Sequence, residues 1–154
     1  MAFFYNDLGV DLGTSNVLVY VEGKGIVVRE PSVVAVDKNT GKILQVGAAA
    51  RNMLGRTPGN VVAMHPLKDG VISDHEMTVR MLQLLFRKAI RTSLLNPKPR
   101  VVICVPSGVT EVEERTVINA AMEAGARRVY LIEEPLAAGL GANLQIQGAI
   151  GHMV

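Results

Sequence analysis

The octapeptide PRVVICVP, residues 99–106, sets the first constraint on how this chain can fold. Its apolar run lacks the alternation of a strand with one wet face, and it is too short for a helix. Such a run fits a strand covered on both faces, as in a parallel sheet. Its neighbours agree. Asp74 is placed to cap a helix whose Leu82, Leu85, Phe86 and Ala89 recur at helical spacing, with Arg87, Lys88 and Arg91 in its last turns to complement the helix dipole. Beyond the run, Thr110 and Glu113 form a T-x-x-E capping box, Val117, Ala120, Ala121 and Ala124 share one helix side, and Gly125 closes that helix. The segment RRVYLI is a further strand, and Pro135 opens a helix over PLAAGLGANL.

The first half reads differently. Residues 8–12 and 17–22 alternate as strands, and GKG at 23–25 supplies a turn. Further strand-like runs are 26–29, 33–37 and 43–46, with DKNTGK turning between the last two. A short helix is expected over 48–54, ending at Gly55; GRTPGN is a loop, and VVAMHP another short strand. The order predicts an α/β fold whose mixed sheet is an antiparallel meander on one side and parallel on the other, flanked by helices. Residues 33–73 are expected to form a small inserted subdomain.

Composition narrows the function classes. At 154 residues, 49% hydrophobic and 19% charged, the chain is long enough for one packed domain and too apolar for disorder. It has no apolar run of membrane-spanning length and no signal-peptide pattern. A net charge of +2 gives no argument for nucleic acid, and no nucleic-acid partner is expected. The single cysteine, Cys104, fits a reducing compartment and reads as a buried strand thiol. His65, His75 and His152 are scattered, without zinc-type spacing.

Three stretches can carry chemistry. In GVDLGTSN the bend holds Asp11, Gly13, Thr14, Ser15 and Asn16. A bend of small residues that exposes successive N–H groups makes an anion site, and a carboxylate at the strand end can address Mg²⁺ through water. The same residues also favour an ordinary turn. In IEEPLAAG, Glu133 and Glu134 stand where a strand gives way to a helix, the place where open α/β sheets bind ligands. A carboxylate there can orient or deprotonate a water, or simply cap the helix. In FRKAIRTSLLNPKPR, Leu94 and Leu95 are flanked by cations, which suits either an anionic membrane surface or leucines tucked into the core.

Taken together, GVDLGTSN, EPSVVAV, VGAAARNMLGRTPGN, HPLKDGVISD, PRVVICVPSGVTEVEER and LIEEPLAAGLGA resemble the MreB family of bacterial actins, in that family's order and over essentially the whole chain. DLGT and EPLAA also resemble DnaK-type chaperones, whereas MLGRTPGN and LKDGVISD are similar to MreB and its close paralogues. The resemblance implies an actin-like (ribonuclease H-like) fold with an ATP cleft. DLGTSN would be the first phosphate loop, Thr14, Ser15 and Asn16 would contact nucleotide, and Asp11 would address the Mg²⁺ water shell. Glu134 matches the residue that positions the hydrolytic water, with Glu133 the runner-up, and Leu94 and Leu95 fall at the membrane loop. It further implies subdomain IA over 1–32 and 74–154 and subdomain IB over 33–73. Self-association into filaments, an anionic membrane surface, the cell-wall elongation machinery and a cytoplasmic, membrane-associated location follow from the same resemblance. The family continues past GHMV into a second phosphate loop and an adenosine-binding domain. The expectation is therefore the N-terminal part of such an ATPase, not competent in hydrolysis alone. The alternatives are a DnaK-like nucleotide domain and a sugar or acetate kinase.

Overall fold

A computed structural model describes residues 7–53, 59–90 and 97–144. The chain opens with β1 (Asp7–Leu12), β2 (Asn16–Val21) and β3 (Gly25–Pro31). It continues through β4 (Val34–Asp37), β5 (Ile43–Val46), α1 (Ala48–Met53) and β6 (Val61–Met64). A two-residue hairpin, β7 (Leu67–Lys68) and β8 (Val71–Ile72), precedes α2 (His75–Ala89) and β9 (Arg100–Val105). Then come α3 (Glu111–Glu123), β10 (Arg128–Glu133) and α4 (Glu134–Gly141).

The main sheet has the order β10-β9-β1-β2-β3. The β1 strand pairs antiparallel with β2 and parallel with β9, and β9 pairs parallel with β10. This is the mixed sheet predicted from the sequence. Because β1, β9 and β10 run the same way, their carboxyl ends share one edge. In the parallel ladder Asp7 stands opposite Arg100, and the two side chains form an ion pair, with the Arg100 Nε donating to Asp7 Oδ1 at 2.7 Å.

One face of this sheet carries the core. Val10, Val19, Val101 and Ile103 are buried there beneath α2 and α3. Every apolar α2 position singled out from its spacing (Leu82, Leu85, Phe86 and Ala89) is buried, and Asp74 caps the helix by accepting from the Met77 N–H at 2.9 Å. The capping box of α3 forms in both directions between Thr110 and Glu113. Its other end is a Schellman turn: Gly125 at φ +114° lets the Ala126 N–H reach the Ala121 carbonyl.

The other face corrects one expectation. β9 is not covered on both sides among the described residues: Val101, Ile103 and Val105 are buried, while Val102 is 41% exposed. Tyr20 and Tyr130 share that open face. The physical reason is that α2 and α3 both join the core on one side of the sheet, while on the other, among the described residues, only the short α4 packs near the ends of β9 and β10.

A second sheet, in the order β5-β4-β6, carries a small core of Val33, Ala35 and Ala50 against α1. The alternate residues Val34 and Val36 point the other way and join the main core. The helix end expected near Gly55 and the pair Leu94 and Leu95 lie outside the described residues. No helix among the described residues is long and apolar enough to cross a membrane.

Glu30, on β3, ties these layers together. Its Oε2 accepts from the Ala48 N–H at the start of α1, and its Oε1 accepts from Lys88 Nζ of α2, both at 2.7 Å. Burial works to raise its pKa, but the hydrogen bonds from Lys88 and Ala48 and the Lys88 charge outweigh it and hold the carboxyl below its ordinary value. A depressed carboxyl contributes stability that is present above the ordinary value of 4.5 and is lost as pH falls through the lower folded value. Glu30→Gln should therefore lower the thermal midpoint at pH 7, by a cost of about 1–2 kcal/mol. The gap between variant and wild type should shrink as pH is taken below 4, as read by thermal melts. A gap that stays constant with pH would show that the Glu30 charge does not hold the layers.

Candidate functional site

The bend between β1 and β2 is built by what surrounds it. Ser32, fully buried, donates from Oγ to the Gly13 carbonyl at 2.5 Å and from its N–H to the Ser15 carbonyl at 3.0 Å. From the opposite side, Thr14 Oγ1 accepts from the Gly70 N–H at 2.8 Å. Gly13 is required by the bend itself, since a Cβ there would lie 2.8 Å from the Asn16 carbonyl oxygen. Gly13 also lines the cavity beside the bend, so the residue that the turn requires is also part of the site.

Gly70 belongs to the turn of the β7–β8 hairpin. Asp69 and Gly70 both take positive φ, 52° and 79°, as a two-residue type I′ turn needs. A Cβ on Gly70 would run into the Pro106 ring. The turn is thus wedged between the first bend and the end of β9, and this wedge carries Asp69 into the site.

A cavity of about 660 Å³ lies where these pieces meet. Asp11, Gly13 and Thr14 line it from the bend, Asp69 from the hairpin, Cys104 from β9 and Glu134 from the start of α4. The structure therefore brings together Asp11, Gly13, Thr14 and Glu134. Ser15 and Asn16 line a neighbouring cavity of about 470 Å³ with Arg29, which shares Asp11, Gly13 and Thr14 with the first. Glu133 lines neither cavity. It precedes α4 without a side-chain capping bond and instead accepts from Ser107 Oγ at 2.9 Å.

The larger cavity is acidic. Asp11, Asp69 and Glu134 face it, and among the described residues no Lys or Arg lines it. Cys104 registers this field: burial first, then the charges of Asp11 and Glu134, push its thiol pKa up. The thiol holds its proton, but it is half-buried and lines the cavity, where the sequence suggested a buried strand thiol. Among the described residues no three acids, cysteines or histidines are grouped closely enough to hold a metal ion together. The carboxylates suit a hydrated cation that arrives with an anionic ligand, not a bare ion in a protein cage.

Two contributors escaped the sequence reading. Asp69 has a local signal, the Asp-Gly pair flanked by Leu67 and Ile72, which is a hairpin signature. Ser32 has none, because its partner Gly13 lies 19 residues away.

Ser32→Ala should leave the Gly13 carbonyl without its partner. The expected loss is about 1–3 kcal/mol, read as a thermal midpoint lower by about 2–4 °C per kcal/mol. A midpoint equal to wild type would show that Ser32 does not hold the bend.

The sequence model of the MreB/Mbl protein family matches residues 5–154. The cell shape-determining protein Mbl of Bacillus subtilis is 53% identical over 151 residues, covering 98% of this chain and 45% of that protein. The cell shape-determining protein MreB of Escherichia coli K12 is 50% identical over 155 residues, with the same coverage. Among solved structures, MreB5 of Spiroplasma citri bound to ADP aligns with a TM-score of 0.85 at 38% identity, covering 98% of this chain and 45% of that one. The MamK double helical filament aligns at 0.78 and 26% identity, covering 91% and 44%. The chain thus spans under half the length of the relatives it matches. With a family match along nearly its whole length and a sheet that superposes on MreB structures, this chain belongs to the MreB/Mbl family of actin-like, cell shape-determining proteins.

Proposed function

We propose that this chain provides one wall of an actin-like nucleotide site, the wall that grips the phosphates. The observation that carries the reading is the acidic cavity beside a bend fixed from both sides by Ser32 and Gly70. Two neighbours support the choice of ligand: MreB5 of Spiroplasma citri is described as bound to ADP in one structure and to AMPPNP in another. Membership of the MreB/Mbl family favours this reading over the chaperone and kinase alternatives.

Each residue then has a task that its position allows. The bend at Gly13–Asn16 meets phosphate oxygens with backbone N–H groups and the short side chains of Thr14, Ser15 and Asn16. Asp11 would hold a Mg²⁺ ion through its water shell, and the ion would supply charge that neutralises the phosphates. Glu134 faces the same cavity and orients the attacking water. Glu133 is unsuited to that task because its carboxylate is turned to Ser107.

Assembly into membrane-attached filaments that guide wall synthesis belongs to the same proposal. The MamK filament supports self-association, and Leu94 and Leu95 among nearby cations supply the membrane contact. In a full-length protein carrying this segment, Glu134→Ala should slow ATP hydrolysis about 10²–10⁴-fold while sparing nucleotide binding. Glu133→Ala should have much less effect in single-turnover assays, and the reverse ranking would move the task to Glu133. Replacing Leu94 and Leu95 together by serine should release the assembled protein from phosphatidylglycerol vesicles. Retention on the vesicles would remove the leucines from the membrane contact.

A further inference from the structure

A groove of about 370 Å³ lies between α2 and the β4–β5 turn, and it shares no lining residue with the two cavities around the bend. Gly41, Lys42 and Ile43 form one wall. The other wall is a single stripe of α2, with Glu76, Arg80, Gln83, Leu84 and Arg87 at helical spacing. The opposite side of α2 is buried in the main core, so this stripe is the helix's free side. Leu84 remains 38% exposed in its middle, and the half-buried Ile43 faces it across the groove.

Lys42, Arg80 and Arg87 are all exposed, and among the described residues none of their side chains forms an ion pair. Lys88, next along the helix, is by contrast paired with Glu30. The dipole of α2 accounts for Arg87 in the last turn but not for Arg80 near the middle, since that effect fades within a turn. Three cations against the single acid Glu76 surround an aliphatic patch.

We propose that this groove docks a short acidic segment of a partner protein. One aliphatic side chain of that segment would sit on Leu84 and Ile43, and its carboxylates would meet Lys42, Arg80 and Arg87. An apolar anchor ringed by charge-assisted hydrogen bonds is how small grooves gain both affinity and selectivity. Shape separates this occupant from an anionic membrane: the groove is concave with cations on both walls, and a bilayer surface cannot enter it. The volume admits a few side chains and no folded domain.

The test uses the 154-residue chain, immobilised and panned with a phage-displayed library of random dodecapeptides. The recovered peptides should carry several Asp or Glu residues around one Leu, Ile or Met. Arg80→Glu combined with Arg87→Glu should weaken their binding at least tenfold, as should Leu84→Ser, while Arg80→Lys should retain it. Raising the salt from low to high concentration should also weaken binding. Should the double variant fail a circular-dichroism check of folding, Lys42→Glu on the other wall carries the same expectation. Peptides without acidic bias, or binding indifferent to charge reversal, would overturn the proposal. So would a change in the chain's own sedimentation on charge reversal, which would make the occupant a second copy. Loss of phosphatidylglycerol-vesicle binding without any peptide effect would make it a membrane and overturn the proposal equally.

Discussion

The site depends on how the bend at Gly13–Ser15 is clamped. Ser32 holds two of its carbonyls from the end of β3, and the Gly70 N–H holds the Thr14 hydroxyl from the β7–β8 turn. A free hairpin tip would sample several conformations and would have to be ordered by its ligand, at a cost in affinity. Here the ordering is done by the fold. The clamp also joins distant parts of the chain, so the shape of the bend reports whether the main sheet and the hairpin are both in place.

Topology explains why carboxylates gather beside that bend. The parallel strands β1, β9 and β10 end on one edge of the sheet, and Asp11, Cys104 and Glu134 stand at or just past those ends. Asp69 reaches the same place on the hairpin wedge. The result is a cavity lined by acid and, among the described residues, by no cation, which suits phosphate when a metal ion comes with it. The outer side of α2 has the reverse character, with cations around an aliphatic patch. The chain thus presents two concave surfaces of opposite sign, and a net charge of +2 conceals both.

Much of this was legible in the sequence, and the exceptions have physical causes. Strands β1 and β2 announce themselves by alternation, α2 by helical periodicity, and α3 by a capping box that forms as written. The bend and the Glu133–Glu134 pair stood out locally, as small residues and as a strand-to-helix junction, while only the family resemblance separated Glu134 from Glu133. The β7–β8 hairpin shows no period, since its strands have two residues each, and only its Asp69–Gly70 turn marks it in the sequence. Ser32 and Glu30 act through partners 17 or more residues away, and local pattern is blind to such contacts. The apolar run of β9 predicted cover on both faces. The described residues supply it on one, because packing side is set by connections that strand composition does not encode.

The bend of this chain is proposed to be a phosphate grip in its own right. Its most direct test is the amide spectrum of the ¹⁵N-labelled 154-residue chain as Mg-ADP is added to about 10 mM, a range that detects binding as weak as about 4 kcal/mol. The account predicts shifts at Gly13, Thr14, Ser15, Asn16, Asp69 and Gly70, with the α2 stripe from Arg80 to Arg87 unmoved. A bend that stays unmoved across the titration, or shifts that gather on α2 instead, would contradict it.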